Sequence, residues 1–253
     1  MRKETFKNAL ITGASSGIGE ALALELASRG CHIALSARRV ELLEALAEKV
    51  RGQGVRAEIY PCDTADQTAV EYAGRQALEA FGSFDLAILN AGMASYVYPK
   101  KFNVDEIEQL INVNLMGAIY WIGALLPSML ARKSGTLAAM SSAASCRGLP
   151  TVASYSASKA GLSTFFESLR VDLRKHGVRS VVIEPGYVRT PIIEHNPDAP
   201  FAMDADKAAK IIVNRLEKGK TVIRFPWQMA VIIRLIRAMP TWLYDKISSS
   251  VRN

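Results

Sequence analysis

Thr12-Gly13-Ala14-Ser15-Ser16-Gly17-Ile18-Gly19 decides how this chain is read. The run before it, Asn8–Thr12, has the composition of a short buried strand. The run after it, Gly17–Arg29, places apolar residues at helical spacing, as in Leu22 and Leu26. Glycines let the backbone turn tightly and approach a ligand without a Cβ in the way. The first turn of a helix leaves N–H groups unpaired, with the positive end of the helix dipole facing the loop. A glycine loop that ends the first strand and opens a helix is therefore read as a pyrophosphate site, formed by Thr12, Gly13, Ser15, Ser16, Gly17, Ile18 and Gly19. A plain strand-to-helix turn is the alternative for an isolated glycine triplet.

Outward from the loop, strand and helix patterns alternate. Asn8–Thr12, His32–Ala37, Ala57–Pro61, Asp85–Leu89, Gly135–Met140, Arg179–Glu184 and Thr221–Phe225 read as strands. Gly17–Arg29, Val40–Arg51, Asp66–Phe81, a pair over Val104–Ala131, and Val152–His176 read as helices. Such alternation implies parallel strands with right-handed helical crossovers. The expected fold class is α/β, a doubly wound parallel sheet of the Rossmann type with helices on both faces. No Pro/Gly/Ser-rich linker, repeat or low-complexity tract interrupts the chain. A single domain is expected, with residues 1–225 as its catalytic body and 226–253 as a helical extension.

The spacing T-G-x-x-x-G-x-G resembles that of the short-chain dehydrogenase/reductase family, in its single-domain branch, and the likeness extends over about residues 7–191. The resemblance implies an enzyme that interconverts a carbonyl and an alcohol with a nicotinamide cofactor. It also implies that Asp63, after the third strand, sits near the adenine ring, although a turn or helix-cap role serves that Asp equally well. Asn90-Ala91-Gly92, after the fourth strand, is similar to the family's N-A-G segment on the adenosine side. Pro185-Gly186-Tyr187-Val188-Arg189-Thr190 is similar to the segment flanking the nicotinamide. There Pro185, Gly186, Val188 and Thr190 would contact the cofactor.

The second strand ends in Ser36-Ala37-Arg38-Arg39, without the carboxylate that holds a ribose 2′-hydroxyl in NAD-binding folds. A guanidinium there pairs with a 2′-phosphate. NADP is thus expected over NAD, with Arg38 as the main contact and Arg39 assisting.

Tyr155 and Lys159 lie four apart in a helical pattern and share a face. A nearby ammonium is expected to lower the phenol's pKa from its usual ~10, making Tyr155 a general acid/base. Tyr96 and Lys100 match the same spacing, but Pro99 lies between them. By resemblance, Ser142 polarises the substrate oxygen, with Ser141 and Ser145 as alternatives. By the same resemblance Asn114 holds a water that links Lys159 to bulk solvent, and Tyr155 and Lys159 also meet the cofactor. A nucleotide-binding or sensing protein of the same fold that has lost turnover is the alternative to an enzyme.

The loops expected to wall the substrate pocket contain Met93, Tyr96, Val97, Cys146, Leu149, Tyr187, Ile192 and Ile193. Their character suggests a hydrophobic carbonyl or alcohol. Among 253 residues, the three cysteines form no C-x-x-C pair, and His32, His176 and His195 show no H-E-x-x-H spacing. No metal site and a reducing, cytoplasmic setting are expected. The uncharged run Gln109–Ala131 is long enough to cross a bilayer, but it falls between two core strands and reads as a buried helix. The net charge of +7 is concentrated in the tail: residues 201–253 carry ten Lys/Arg against four Asp/Glu, while the rest is nearly neutral. With no recognition motif present, nucleic-acid binding is not expected. The basic tail, with Trp227, Trp242 and Tyr244, would cover the pocket, meet another subunit or touch a membrane surface. A homodimer through the helices bearing Asn114 and Tyr155, or another homo-oligomer, is implied by the resemblance.

Overall fold

The computed structural model describes residues 5–193 and 199–250, so His195 lies outside the described residues, as do the side chains of Ile193 and Ser250. Its centre is a seven-stranded, wholly parallel sheet. The strands are β1 (Asn8–Thr12), β2 (His32–Ala37), β3 (Ala57–Pro61), β4 (Leu86–Leu89), β5 (Gly135–Met140), β6 (Val178–Pro185) and, after a short β7–β8 pair (Val188–Arg189 and Met203–Asp204), β9 (Val222–Phe225). The spatial order is β3-β2-β1-β4-β5-β6-β9. The chain thus winds outward from β1 and then returns to β1's other side at β4. That reversal opens a crevice at the C-terminal ends of β1 and β4, where doubly wound sheets bind ligands.

Alternation along the strands divides the core into two layers. Ile11, Leu35, Ile88, Met140 and Ile183 face α1 (Gly17–Ala27), α2 (Val40–Arg51) and α7 (Ala205–Glu217). Leu10, Ala34, Ala87, Leu137 and Val182 face α3 (Gln67–Phe81), α5 (Gly117–Arg132) and α6 (Ala153–Leu173). Register fixes this division: Ile11 sits between Leu35 of β2 and Ile88 of β4.

Two helical expectations change. The pair over residues 104–131 is one unbroken helical run, in which α4 (Val104–Ile111) passes into α5 through a π-turn at Asn112–Met116. The Gly117 N–H donates to the Asn112 carbonyl five residues back, and the wider turn re-aims the side chains within it. Although long and apolar enough to cross a membrane by composition, the run sits on the sheet through Trp121, Leu125 and Met129. The second change is α7, for which the sequence analysis carries no helix. It packs against α1.

After β9 come α8 (Trp227–Ala238) and α9 (Thr241–Ser250). α8 turns Ile233 into the core and packs on the short 3₁₀ turn Ala143–Cys146 that follows β5.

Candidate active site

The crevice is pinned by side chains from both of its walls. Thr12 Oγ1 accepts the backbone N–H groups of Asn90 and Ala91, each at 3.0 Å. The Asn90 side-chain amide donates to the carbonyls of Thr12 (3.0 Å) and Gly13 (3.1 Å). This locks the glycine loop to the end of β4. Gly13 has φ +62°, and a Cβ there would lie 2.7 Å from Ala91 Cα. At Gly19 a Cβ would come within 2.3 Å of the Gly13 carbonyl oxygen. Close backbone approach therefore requires both glycines, and at Gly13 the backbone conformation does so as well.

The loop delivers the start of α1 to the crevice. Ser16, at its N-cap, makes no side-chain capping bond to the helix. Its hydroxyl and that of Ser15 instead accept from Arg39, at 2.7 and 2.8 Å. Arg39, given the lesser part in the sequence analysis, is the guanidinium that lies across the loop. Arg38 points to Asp63 instead, 3.8 Å away, with both side chains largely exposed. Asp63 Oδ1 accepts the Ala65 N–H at 3.0 Å, so it plays the turn role as well. Across the crevice, a Cβ on Gly17 would stand 3.0 Å from Thr190, whose hydroxyl donates to the Val188 carbonyl at 3.2 Å. The Gly186 N–H donates to the Phe225 carbonyl at 2.7 Å, and Pro185 ends β6 beside it.

A polar cluster lies at the C-terminal end of β5. Ser142 lies beside Tyr155, and its hydroxyl acts to lower the phenol's pKa; Ser142 Oγ accepts the Ala144 N–H at 3.1 Å. Lys159 is buried one helical turn on. Its ammonium donates to the Met140 carbonyl at 2.8 Å and stands 5.8 Å from the Tyr155 ring centre. Asn114, in the π-turn, accepts the Met93 N–H at 2.8 Å and donates to the Met93 carbonyl (2.9 Å) and Ser158 Oγ (3.1 Å). Its side chain thereby holds the Met93 segment in place. A Cβ on Gly92 would lie 3.3 Å from both Asn114 Oδ1 and Lys159 Nζ, so this glycine leaves room for the two to converge.

The three candidate serines have different partners. Ser141 Oγ donates to the Lys159 carbonyl at 3.0 Å and shares a 2.7 Å bond with Ser163, which ties β5 to α6. Ser145 donates to Glu184 at 3.3 Å. Of the three, Ser142 is the one whose hydroxyl influences the Tyr155 phenol among the described residues.

The electrostatics differ from expectation at Tyr155. Burial pushes the phenol above its ordinary value, and the Ser142 hydroxyl offsets this only in part. The expected lowering by Lys159 is absent because the ammonium faces the Met140 carbonyl, not the phenol oxygen. Lys159 itself is pushed down to about 8 by burial.

Glu184 is the residue that sequence reasoning left without a role. It is buried, ion-pairs with Arg224 of β9, and accepts from Ser145 (3.3 Å) and Ser163 (3.4 Å). The signal was a carboxylate closing the apolar run Val181-Val182-Ile183, since a buried charge requires a partner.

A family model for short chain dehydrogenases matches residues 7–200. The chain belongs to this family. An oxidoreductase of Myxococcus xanthus (strain DK1622) is 38% identical over 253 residues, the whole of both chains. An alcohol dehydrogenase of Thermococcus sibiricus, solved with 5-hydroxy-NADP, superposes with a TM-score of 0.79 at 30% identity, covering 87% of this chain and 94% of that one. A xylitol dehydrogenase solved with NAD+ bound gives 0.78 at 25%, covering 87% and 97%. As a short-chain dehydrogenase, the protein is an NAD(P)-dependent oxidoreductase of CH–OH and C=O groups, and its Rossmann-type fold is that of the family.

Proposed function

We propose that the protein reduces apolar carbonyls, and oxidises the matching alcohols, with NADP(H), and that Tyr155 handles the proton. The observation that carries this reading is the convergence of Tyr155, Ser142 and buried Lys159 at the C-terminal end of β5, beside the crevice.

The crevice suits a dinucleotide. Its backbone is too tight for Cβ atoms at Gly13 and Gly19, the start of α1 is left without a side-chain cap, and Arg39 spans its serines. Thr12 through Gly19 would hold the pyrophosphate, and Arg39 with Arg38 a 2′-phosphate. Asp63 draws off part of the Arg38 charge, so Arg39 carries more of the preference for NADP. Asn90, Ala91 and Gly92 would flank the adenosine side; Pro185, Gly186, Val188 and Thr190 would flank the nicotinamide. When bound, the cofactor supplies or accepts the hydride.

The chain's own residues supply the rest. Ser142 and Tyr155 donate hydrogen bonds toward the carbonyl oxygen, where negative charge develops. Tyr155 stays protonated at neutral pH because burial raises its pKa, so it is set to give its proton in the reducing direction. Lys159 would hold the cofactor ribose and, with the Asn114 segment, would reconnect Tyr155 to solvent protons. The expected assembly is a homodimer through α5 and α6. The three free thiols suit a reducing compartment, and burial pushes Cys31 up to about 12 and Cys62 to about 11.

The test is consumption of NADPH and NADH, in parallel, across a panel of apolar and polar ketones and aldehydes. The expected result is faster turnover with NADPH and with apolar carbonyls, abolished in Tyr155→Phe. A preference for NADH would remove the Arg39 reading, and a preference for sugar ketones the apolar one.

A further inference from the structure

Apolar, aromatic and basic residues ring the open side of the crevice. Two segments hold opposite ends of one loop there. The Val97 N–H donates to the Thr151 carbonyl at 2.6 Å, and the Tyr244 hydroxyl of α9 donates to the Gly148 carbonyl at 2.5 Å. Arg147, between them, donates to the carbonyls of Ile236 (3.0 Å) and Met239 (2.6 Å) at the end of α8, and its guanidinium lies 4.1 Å over the Tyr244 ring. The segment containing Tyr96, Tyr98 and Phe102, the loop 147–151, and the α8–α9 pair therefore form one rim.

That rim is exposed where a soluble helix should be polar. α8 already uses one face inward, with Ile233 buried and Met229 packed over Gly186. Its outward face should then carry charge. Instead Trp227 (72% exposed), Val231 and Leu235 (64%) follow one another at four-residue spacing, and Trp242 (69%) and Ile247 continue the surface on α9. Arg234, Arg237 and Lys246 are exposed among them. Tyr96, Tyr98, Phe102, Lys100 and Lys101 repeat the mixture on the other side of the loop.

We propose that this rim docks on an anionic lipid surface, and that the substrate is an amphipathic lipid carbonyl or alcohol entering the site from that surface. The second half rests on the apolar-carbonyl reading above; the first does not. Tryptophans among aliphatic side chains, with arginines beside them, match the depth profile of a bilayer interface. The exposed charges of the rim, Arg234, Arg237 and Lys246 against Asp245 on α8–α9 with Lys100 and Lys101 across the loop, are complementary to anionic headgroups. Each basic side chain close to such a surface strengthens binding about fivefold. A second copy of this chain is the poorer occupant, because a two-fold contact would bring this basic surface against itself.

The test uses the full-length protein and vesicles of phosphatidylcholine with or without phosphatidylglycerol. Co-sedimentation is expected with the anionic vesicles, about tenfold stronger than with the zwitterionic ones, weakening as salt is added. Of the three tryptophans, Trp227 and Trp242 are exposed, so the intact protein's fluorescence should shift to the blue on binding. Leu235→Glu and Trp242→Ser should each lower binding about tenfold, with unchanged thermal melting and unchanged NADPH oxidation on a water-soluble ketone. Turnover of a long-chain ketone held in the vesicles should fall in step with binding. Absence of vesicle binding, binding indifferent to salt, or no fluorescence shift in the intact protein would overturn the docking proposal. So would a dimer that Leu235→Glu dissociates in a protein that ignores lipid. Vesicle binding with no turnover of any carbonyl would leave the docking standing and overturn both the proposed function and the lipid-substrate half.

Discussion

The crevice between β1 and β4 and the rim above it are built on different principles. In the crevice, backbone touches backbone: Gly13 lies against Ala91, and Gly19 against the Gly13 carbonyl. Few residue types tolerate such contacts, so the function is written in residue identity. In the rim, α8, α9 and the loop 147–151 are joined by long side chains, Arg147 and Tyr244, reaching main-chain carbonyls. Many sequences could make those contacts. Substitutions in the crevice should therefore affect every substrate, and those in the rim only some.

The largest effect is expected at Tyr155. Tyr155→Phe removes the proton donor while keeping the ring, and kcat should fall by about 10³ for soluble and apolar carbonyls alike. Cofactor affinity, read by fluorescence titration, should change little. A loss confined to apolar substrates would erase the distinction between crevice and rim.

Lys159 comes next, through its titration. Its folded pKa of about 8 lies below the ordinary 10.5 because the ammonium is buried. Between these values the unfolded chain binds more protons than the folded one, so stability rises with pH across that window. Below it both forms are protonated and the folded state bears the full cost, about 3 kcal/mol from the size of the shift. Lys159→Met should therefore stabilise the protein near neutral pH, with the gain disappearing above pH 10.5, as chemical denaturation at several pH values would report. The same titration sets a limit on activity: kcat/KM for reduction should decline as pH rises through about 8. A destabilised Lys159→Met at neutral pH would contradict the burial account.

Two glycines isolate what close approach adds. Gly13 and Gly30 both have positive φ, but a Cβ on Gly30 meets nothing within 4 Å. Gly30→Ala should cost about 1 kcal/mol from conformation alone. Gly13→Ala adds the clash with Ala91 and should cost about 2–3 kcal/mol, with weakened cofactor binding. Equal costs would mean that the crevice wall yields easily.

The same contrast explains what could be read in the sequence. The glycine loop, the strands and the Tyr155–Lys159 pair were legible because each rests on local spacing. The order given to Arg38 and Arg39 had no physical basis in the sequence, because adjacent side chains after a strand diverge and only the fold shows that Arg39 meets Ser15 and Ser16. Ser141 and Ser142 posed the same problem: only the fold shows that Ser141 is tied to Lys159 and Ser163 of α6. Glu184 made sense only once β9 brought Arg224 beside it. The tail gave a mixed pattern because α8 is apolar on both faces, one of them packed on a turn some ninety positions earlier in the chain (Ile236 against Arg147).

The smallest predicted effect tests the rim directly. Arg147 closes the end of α8 through two carbonyls and stacks on Tyr244, five residues beyond Ser142. Arg147→Ala removes these contacts without touching the Tyr155–Ser142 pair, so it should act through position alone. KM for a bulky apolar ketone should rise about threefold to tenfold, about the worth of one ordinary hydrogen bond. kcat and the kinetics of a small soluble ketone should hold. Arg147→Lys keeps a charge and N–H donors but loses the planar guanidinium that stacks on Tyr244, so it should recover only part of the loss. If both variants lowered kcat on every substrate, the rim would be holding Ser142 in place and would belong to the crevice in energetic terms.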